Sequence, residues 1–295
     1  MMSATETEKA AITYCKKNGL AFKGYAGGGT YKAVFEVCDH DGTSYALKIV
    51  LNPGISPRTK REVESLVRCN HQNICKVHKT GTCSIDGEDY PLIIEDFLSG
   101  GTLSAFCGKN GSLSREQASV IGVTLTDVLA HLKELDLVHR DIKPDNILLR
   151  DSIFDPVLVD FGLVRDIRAT SLTQTWVLSG PGTPYFASPE QLNNDKNLID
   201  WRSDQFSLGV VISLCHLGIH PYQQNGEPCY SSATVENVAL RKQHGDEFVS
   251  KASHENLPFL IRMTAPWPIE RYRDPQELIK LFKEINDGCI SSNGA

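Results

Sequence analysis

The 295-residue chain lacks a CxxC pair, an apolar run long enough to cross a bilayer, an internal repeat, a low-complexity tract and any excess of positive charge. Each absence removes a class of protein. Nine cysteines spread from Cys15 to Cys289 without metal-ligand spacing, and their odd number, fit free thiols better than a zinc site or a disulfide framework. The longest nearly uncharged stretch, Phe206 to Ile219, is interrupted by Ser207, Ser213 and His216 and is too short to span a membrane as a helix, so it reads as a buried core helix. The opening MMSATETEKA has neither the basic start nor the apolar centre of a secretory signal, and the expected location is cytoplasmic. A net charge of −6 argues against general nucleic-acid binding, and no membrane partner is expected. What the chain does have is 41% hydrophobic residues, enough to bury a sizeable core in one large domain or two small ones.

Polar chemistry is densest between Leu137 and Leu149, LVHRDIKPDNILL. Pro144 keeps Asp141 and Asn146 off the face of one continuous helix, so they line a loop between a helix and a strand. There Asp141 can accept a proton from a hydroxyl, Lys143 can neutralise a transferring phosphoryl group, and Asn146 offers a side-chain oxygen to a hard cation such as magnesium. Taken singly, such Asp and Asn residues more often just bond their own backbone in a turn. The eight residues HRDIKPDN together are far more specific.

The rest of the chain supplies a context. Glu6 to Gly19 reads as a short helix with Ala11, Ile12 and Cys15 on one side, expected to pack outside the core. From Leu20 the pattern turns to strands, AFKGYAGGGTYKAVFEVC and SYALKIV, joined at Asp41-Gly42, with Ala46 and Lys48 on one face. Gly27, Gly28 and Gly29 let backbone N–H groups approach a polyphosphate. Ser56-Pro57 opens a helix with Val63, Leu66 and Val67 as its apolar stripe and Glu62 at the stripe's edge. Strands at Cys75–Cys83 and Tyr90–Asp96 flank the turn Asp86-Gly87 and complete a five-stranded sheet. Beyond it, Ala118, Ile121, Leu125, Val128, Leu129 and Leu132 repeat at helical spacing, VLVDFGLV is a short strand ending at Asp160, and residues 163–185 are a Ser/Thr-rich loop. Pro221 to Glu255 is polar, with one helical patch.

In this order the motifs resemble those of eukaryotic-like (Hanks-type) serine/threonine protein kinases. The resemblance implies an α+β, two-lobed protein-kinase fold: a small five-stranded antiparallel sheet lobe with one main helix, and a larger mainly helical lobe. Its parts would be an N-terminal helical extension (1–19), the small lobe (20–96), the large lobe (97–287) and a disordered tail (288–295). It implies ATP and magnesium as cofactors and a protein bearing Ser or Thr as substrate. Asp141 would be the base, with Lys143 beside it, and Asn146 and Asp160 (of Asp160-Phe161-Gly162) would hold magnesium. Gly27, Gly28, Gly29, Val34, Ala46, Lys48, Glu62, Glu95, Phe97 and Leu148 would bind the nucleotide. The resemblance further implies that Glu62 pairs with Lys48, that Ile94 guards the back of the adenine pocket, and that backbone groups around Glu95 to Phe97 meet adenine. Asp204 would brace the loop and Arg271 pair with Glu190.

Lys143 together with GTPYFASPE is the pattern of Ser/Thr rather than Tyr kinases. Arg140 beside Asp141 implies a phosphate-switched segment, with Thr170, Ser171, Thr173, Thr175 and Ser179 as candidates. The chain departs from the family at Lys32, where a third loop glycine is usual, at Ser188 for alanine, and at Phe206 for tryptophan. Two alternatives remain. A binding scaffold of this fold is expected to have lost one of Lys48, Glu62, Asp141, Asn146 or Asp160, and all five are present. A small-molecule phosphotransferase is not expected to combine Lys143 with an intact GTPYFASPE.

Overall fold

Small side chains decide the first packing contact. Helix α1 (Ala4–Asn18) buries Ala10, Ala11 and Cys15 in the same core as Phe35, Val37, Leu47, Ile49, Leu92 and Ile94. The sequence placed this helix outside the core. Alanine and cysteine on one face instead let its backbone come close to the sheet, so α1 is part of the unit rather than an extension of it. The computed structural model describes residues 4–29, 32–51, 69–160, 165–166, 183–228 and 230–287.

The chain divides into two units, Met1–Asn70 with Cys75–Ser99, and His71–Ile74 with Gly100–Ala295. The first carries strands β1 (Ala21–Gly29), β2 (Lys32–Cys38), β3 (Ser44–Val50), β4 (Val77–Ile85) and β5 (Glu88–Asp96), all antiparallel in the order β1-β2-β3-β5-β4. The β4–β5 hairpin turns through Asp86 (φ 51°) and Gly87 (φ 84°), both left-handed as a two-residue type I′ turn requires. Strand alternation sorts the residues onto two faces. Phe35, Val37, Leu47, Ile49, Leu92 and Ile94 join α1 in the core, while Val34, Ala46, Lys48, Ile93 and Glu95 share the opposite face. The main helix expected in this unit lies outside the described residues.

The second unit is mainly helical: α2 (Leu103–Asn110), α3 (Arg115–Glu134), α4 (Pro189–Leu192), α5 (Trp201–Ile212), α6 (Ser232–Ala239), α7 (Asp246–His254), α8 (Phe259–Met263) and α9 (Pro275–Asp287). A capping box starts α3, the Ser114 hydroxyl accepting from the Gln117 N–H and the Gln117 side chain accepting from the Ser114 N–H. The expected stripe from Ala118 to Leu132 is buried. At Gly122 a Cβ would lie 2.2 Å from the Phe282 ring, so only glycine lets α9 pack this closely. Phe206, Leu208 and Val210 to Ile212 make α5 the buried centre of the unit, and the chain continues as a π-helical turn, Ser213–Leu217. Among the described residues between Pro221 and Glu255 there are two helices, α6 and α7, where the sequence showed one patch. Short strands complete the unit: β6 (Leu137–Val138) pairs with β9 (Arg165–Asp166), and β7 (Ile147–Leu149) with β8 (Pro156–Leu158). His71–Ile74 belongs here because Asn73 and Ile74 pair with Leu158 at the end of β8.

Candidate active site

Asp204, in the first turn of α5, is buried, and its two carboxylate oxygens accept the backbone N–H groups of His139 and Arg140, both at 2.7 Å. Arg140 has φ 70°, a left-handed conformation that costs a non-glycine residue about 1–3 kcal/mol and persists only where its surroundings impose it. Asp204 imposes it from one side. From another, Gln191 of α4 donates from Nε2 to the Arg140 carbonyl at 2.8 Å. Burial pushes the Asp204 carboxyl up to about 7, against the pull of the two N–H bonds and the Arg140 charge.

His139 is wholly buried, and burial lowers its pKa, so the ring is neutral at pH 7. Its Nδ1 accepts the Asp141 N–H at 3.3 Å, which makes Nε2 the protonated nitrogen, donating to the Val159 carbonyl at 3.1 Å. The imidazole is thus a strut behind Asp141.

The Asp141 carboxylate receives Lys143 Nζ at 2.9 and 3.1 Å and Asn146 Nδ2 at 2.8 Å. Asn146 Nδ2 also donates to the Asp141 carbonyl at 2.8 Å. Both contacts come from the amide nitrogen, so the Asn146 Oδ1 takes no part in holding Asp141. A short turn, Pro144–Asn146, sets this geometry, proline fixing its first residue. The N–H of Val159 donates to the Asn146 carbonyl at 3.0 Å, so the strand leading to Asp160 is tied to the same turn, and Asp160 itself has φ 70°. The segment after residue 182 is fastened separately. The carbonyl of Tyr185 accepts from His220 Nε2 at 2.8 Å, and Glu190 is held by Arg271.

In the sheet unit Lys48 Nζ lies 2.5 Å from Glu95 Oε1, with both side chains buried. Ile94 points into the α1 core, and Glu95, expected to offer only its backbone, presents its carboxylate on the Lys48 face. The cause is one residue of strand phase, which exchanges the faces of neighbouring residues. Val34 lies opposite Lys48, and Ala46 opposite Glu95. Of the three glycines, Gly28 is the one that packing demands, because a Cβ there would sit 2.7 Å from the Lys32 carbonyl; Gly27 and Gly29 face open space. Phe97 follows β5, half-buried. In the helical unit Leu148 lies in β7, bridged to Thr102. Glu62, Phe161, Gly162 and the hydroxyl candidates Thr170 to Ser179 lie outside the described residues, as does the side chain of Thr183. Sequence reading missed the Gln191 contact, for which a glutamine beside Glu190 gave no signal.

A five-stranded antiparallel sheet presenting a buried lysine, and a mainly helical unit presenting an Asp–Lys–Asn cluster on a clamped loop, define an α+β protein. Residues 21–281 match the protein kinase domain, and the chain belongs to that family. It is similar to the serine/threonine-protein kinase PknB of Mycobacterium leprae (strain TN), with 27% identity over 266 residues, 83% of this chain and 40% of that protein. It is similar also to the serine/threonine-protein kinase PrkC of Bacillus subtilis (strain 168), with 28% identity over 226 residues, 75% of this chain and 32% of that protein. The chain therefore spans well under half the length of these relatives. Among the described residues no helix is long and apolar enough to cross a membrane.

Proposed function

We propose that the chain is an ATP-dependent serine/threonine protein kinase, transferring the γ-phosphoryl group to a hydroxyl of a protein substrate. The observation that carries this reading is the Asp141 carboxylate, aimed by Asn146 and flanked by the Lys143 ammonium at 2.9 Å. In this reading Asp141 accepts the proton of the attacking hydroxyl, and Lys143 offsets charge on the phosphoryl oxygens as they are transferred. Asp204 holds the backbone of His139 and Arg140, and His139 accepts the Asp141 N–H, which together keep the base in line with the reacting oxygen. In the sheet unit Lys48 engages the phosphates, the N–H groups of Gly27 to Gly29 face them, and Val34 and Ala46 offer apolar surface to the base. With Glu95 turned toward Lys48, the backbone that meets adenine moves one residue on, to Asp96, Phe97 and Leu98.

The residues present suit magnesium, which binds through one or two protein oxygens together with substrate phosphates and water. Asn146 Oδ1 and the Asp160 carboxylate would hold it. When bound, it neutralises charge on the phosphate oxygens. Autophosphorylation is part of the proposal, at one or more of Thr170, Ser171, Thr173, Thr175 and Ser179 and first among Thr173, Thr175 and Ser179; mass spectrometry after incubation with ATP reads it directly.

The deciding experiment supplies labelled ATP and magnesium with protein and with small-metabolite acceptors, followed by phosphoamino-acid analysis. Phosphoserine or phosphothreonine is expected, falling about 10²–10⁴-fold in a folded Asp141→Asn variant. Transfer to metabolites alone, or an Asp141→Asn enzyme within about twofold of the parent, would refute the reading.

A further inference from the structure

The Lys48–Glu95 pair is built into the sheet rather than reaching it from a loop. Lys48 stands in β3 opposite Ile93, Glu95 stands in β5 opposite Ala46, and both side chains project to the face away from α1. The side chains are 11% and 8% exposed, so the pair is largely withdrawn from water. Strands β3 and β5 stay in register from Tyr45/Asp96 to Ile49/Leu92, so neither charge can move away without a rotamer change or a broken ladder. The Cys75 thiol is kept neutral, first by burial and then by the Glu95 charge. Asp96 engages His78 at 2.7 Å, and the β2 residue opposite Lys48 is Val34, with Lys32 two positions before it at the start of β2.

We propose that Glu95 is a positioning residue for nucleotide binding, fixing the Lys48 ammonium in place and keeping it charged before the phosphates arrive. This rests on the reading of Lys48 as the phosphate-binding lysine. An ammonium has three N–H donors, so the bond to Glu95 engages one of them and sets the direction in which the group points. With a neutral residue at 95, the buried ammonium has less counter-charge, and burial then favours the neutral amine. A neutral amine binds phosphate poorly.

Two readouts on Glu95→Gln, which keeps the shape and removes the charge, test this. In nucleotide-free protein an amine-directed acylating reagent, followed by mass spectrometry, should modify Lys48 several-fold faster than in the parent. In turnover, KM for ATP should rise about tenfold with kcat changed less than about twofold, the signature of lost ground-state binding. Glu95→Asp, which keeps the charge one methylene shorter, should recover part of both effects, and it carries the test alone, with smaller changes in the same directions, if the Gln variant does not fold. Unchanged labelling together with unchanged KM would overturn the proposal. So would a fall in KM, which would make Glu95 a competitor of the phosphates. A parent protein without ATP-dependent transfer would instead sink the kinase reading, and the labelling comparison would still decide whether Glu95 holds Lys48.

Discussion

Arg271 and Glu190, 81 residues apart in sequence, meet as a bidentate pair at 2.7 and 3.1 Å with no exposure of either side chain. Every part of the guanidinium is engaged. It donates to the carbonyls of Ala265 and Arg202, and its plane lies over the Phe206 ring at 4.8 Å. Glu190 Oε1 also accepts the Ser203 hydroxyl at 2.7 Å. The pair ties α4, the start of α5 and the segment before α9 together, and α4 in turn carries Gln191 to the Arg140 carbonyl. A structural ion pair thus supports the loop that holds Asp141.

Removing one partner should cost far more than removing both. Arg271→Met leaves a buried carboxylate without its counter-charge, and about 3–5 kcal/mol of stability should be lost. A double variant, Arg271→Met with Glu190→Leu, should recover much of that loss, since no charge is then stranded. Urea unfolding of the parent and the variants measures it. A single variant as stable as the parent would show that water or another cation takes the place of Arg271.

The same pair has a pH signature. Burial acts to raise the Glu190 pKa, but the Arg271 charge and the hydrogen bonds from Arg271 and Ser203 outweigh it and hold the carboxyl below its usual range. A carboxyl depressed in the folded state adds stability above its unfolded pKa of about 4.3, and that stability is lost as pH falls through the folded value. Below about pH 4 the parent should therefore lose stability faster than Glu190→Gln, with little difference in slope between about pH 5 and 7. Parallel curves through the acid range would mean that Glu190 titrates as an ordinary carboxyl.

Much of this was legible in the chain because the signals were local. HRDIKPDN packs its donors and acceptors within one turn of backbone, and the Ser114–Gln117 box and the stripe from Ala118 to Leu132 announce their helix. Asp204 and Arg271 were placed by motif. What could not be read depended on partners distant in sequence. The burial of α1 needs the sheet it covers, and the exchange of Ile94 for Glu95 depends on β5 phase against β3. Both residues sit in a run, Leu92 to Glu95, that is buried throughout, so alternation of polar and apolar residues gave no phase to count from.

The bracing role of Asp204 can be separated from any role in binding nucleotide. Its carboxylate satisfies two buried N–H groups and holds Arg140 at φ 70°, while Lys48, Glu95 and the glycines belong to the other unit. In Asp204→Ala both donors are orphaned, at about 1–3 kcal/mol each, and Arg140 is free to leave its strained conformation. Asp141 follows directly in sequence and would shift with it. A displacement of about 1 Å at a reacting group can cost about 10²-fold, so kcat should fall by roughly that factor at temperatures well below the variant's melting point. The dissociation constant of an ATP analogue, measured by calorimetry, should change less than about twofold, because uniform binding is untouched. Asp204→Asn keeps one acceptor but turns an N–H group toward one of the two donors, so it should not restore activity. If both variants bind and turn over as the parent does, the clamp is ornamental to the reaction; if nucleotide affinity falls with kcat, Asp204 supports the fold as a whole rather than the position of Asp141.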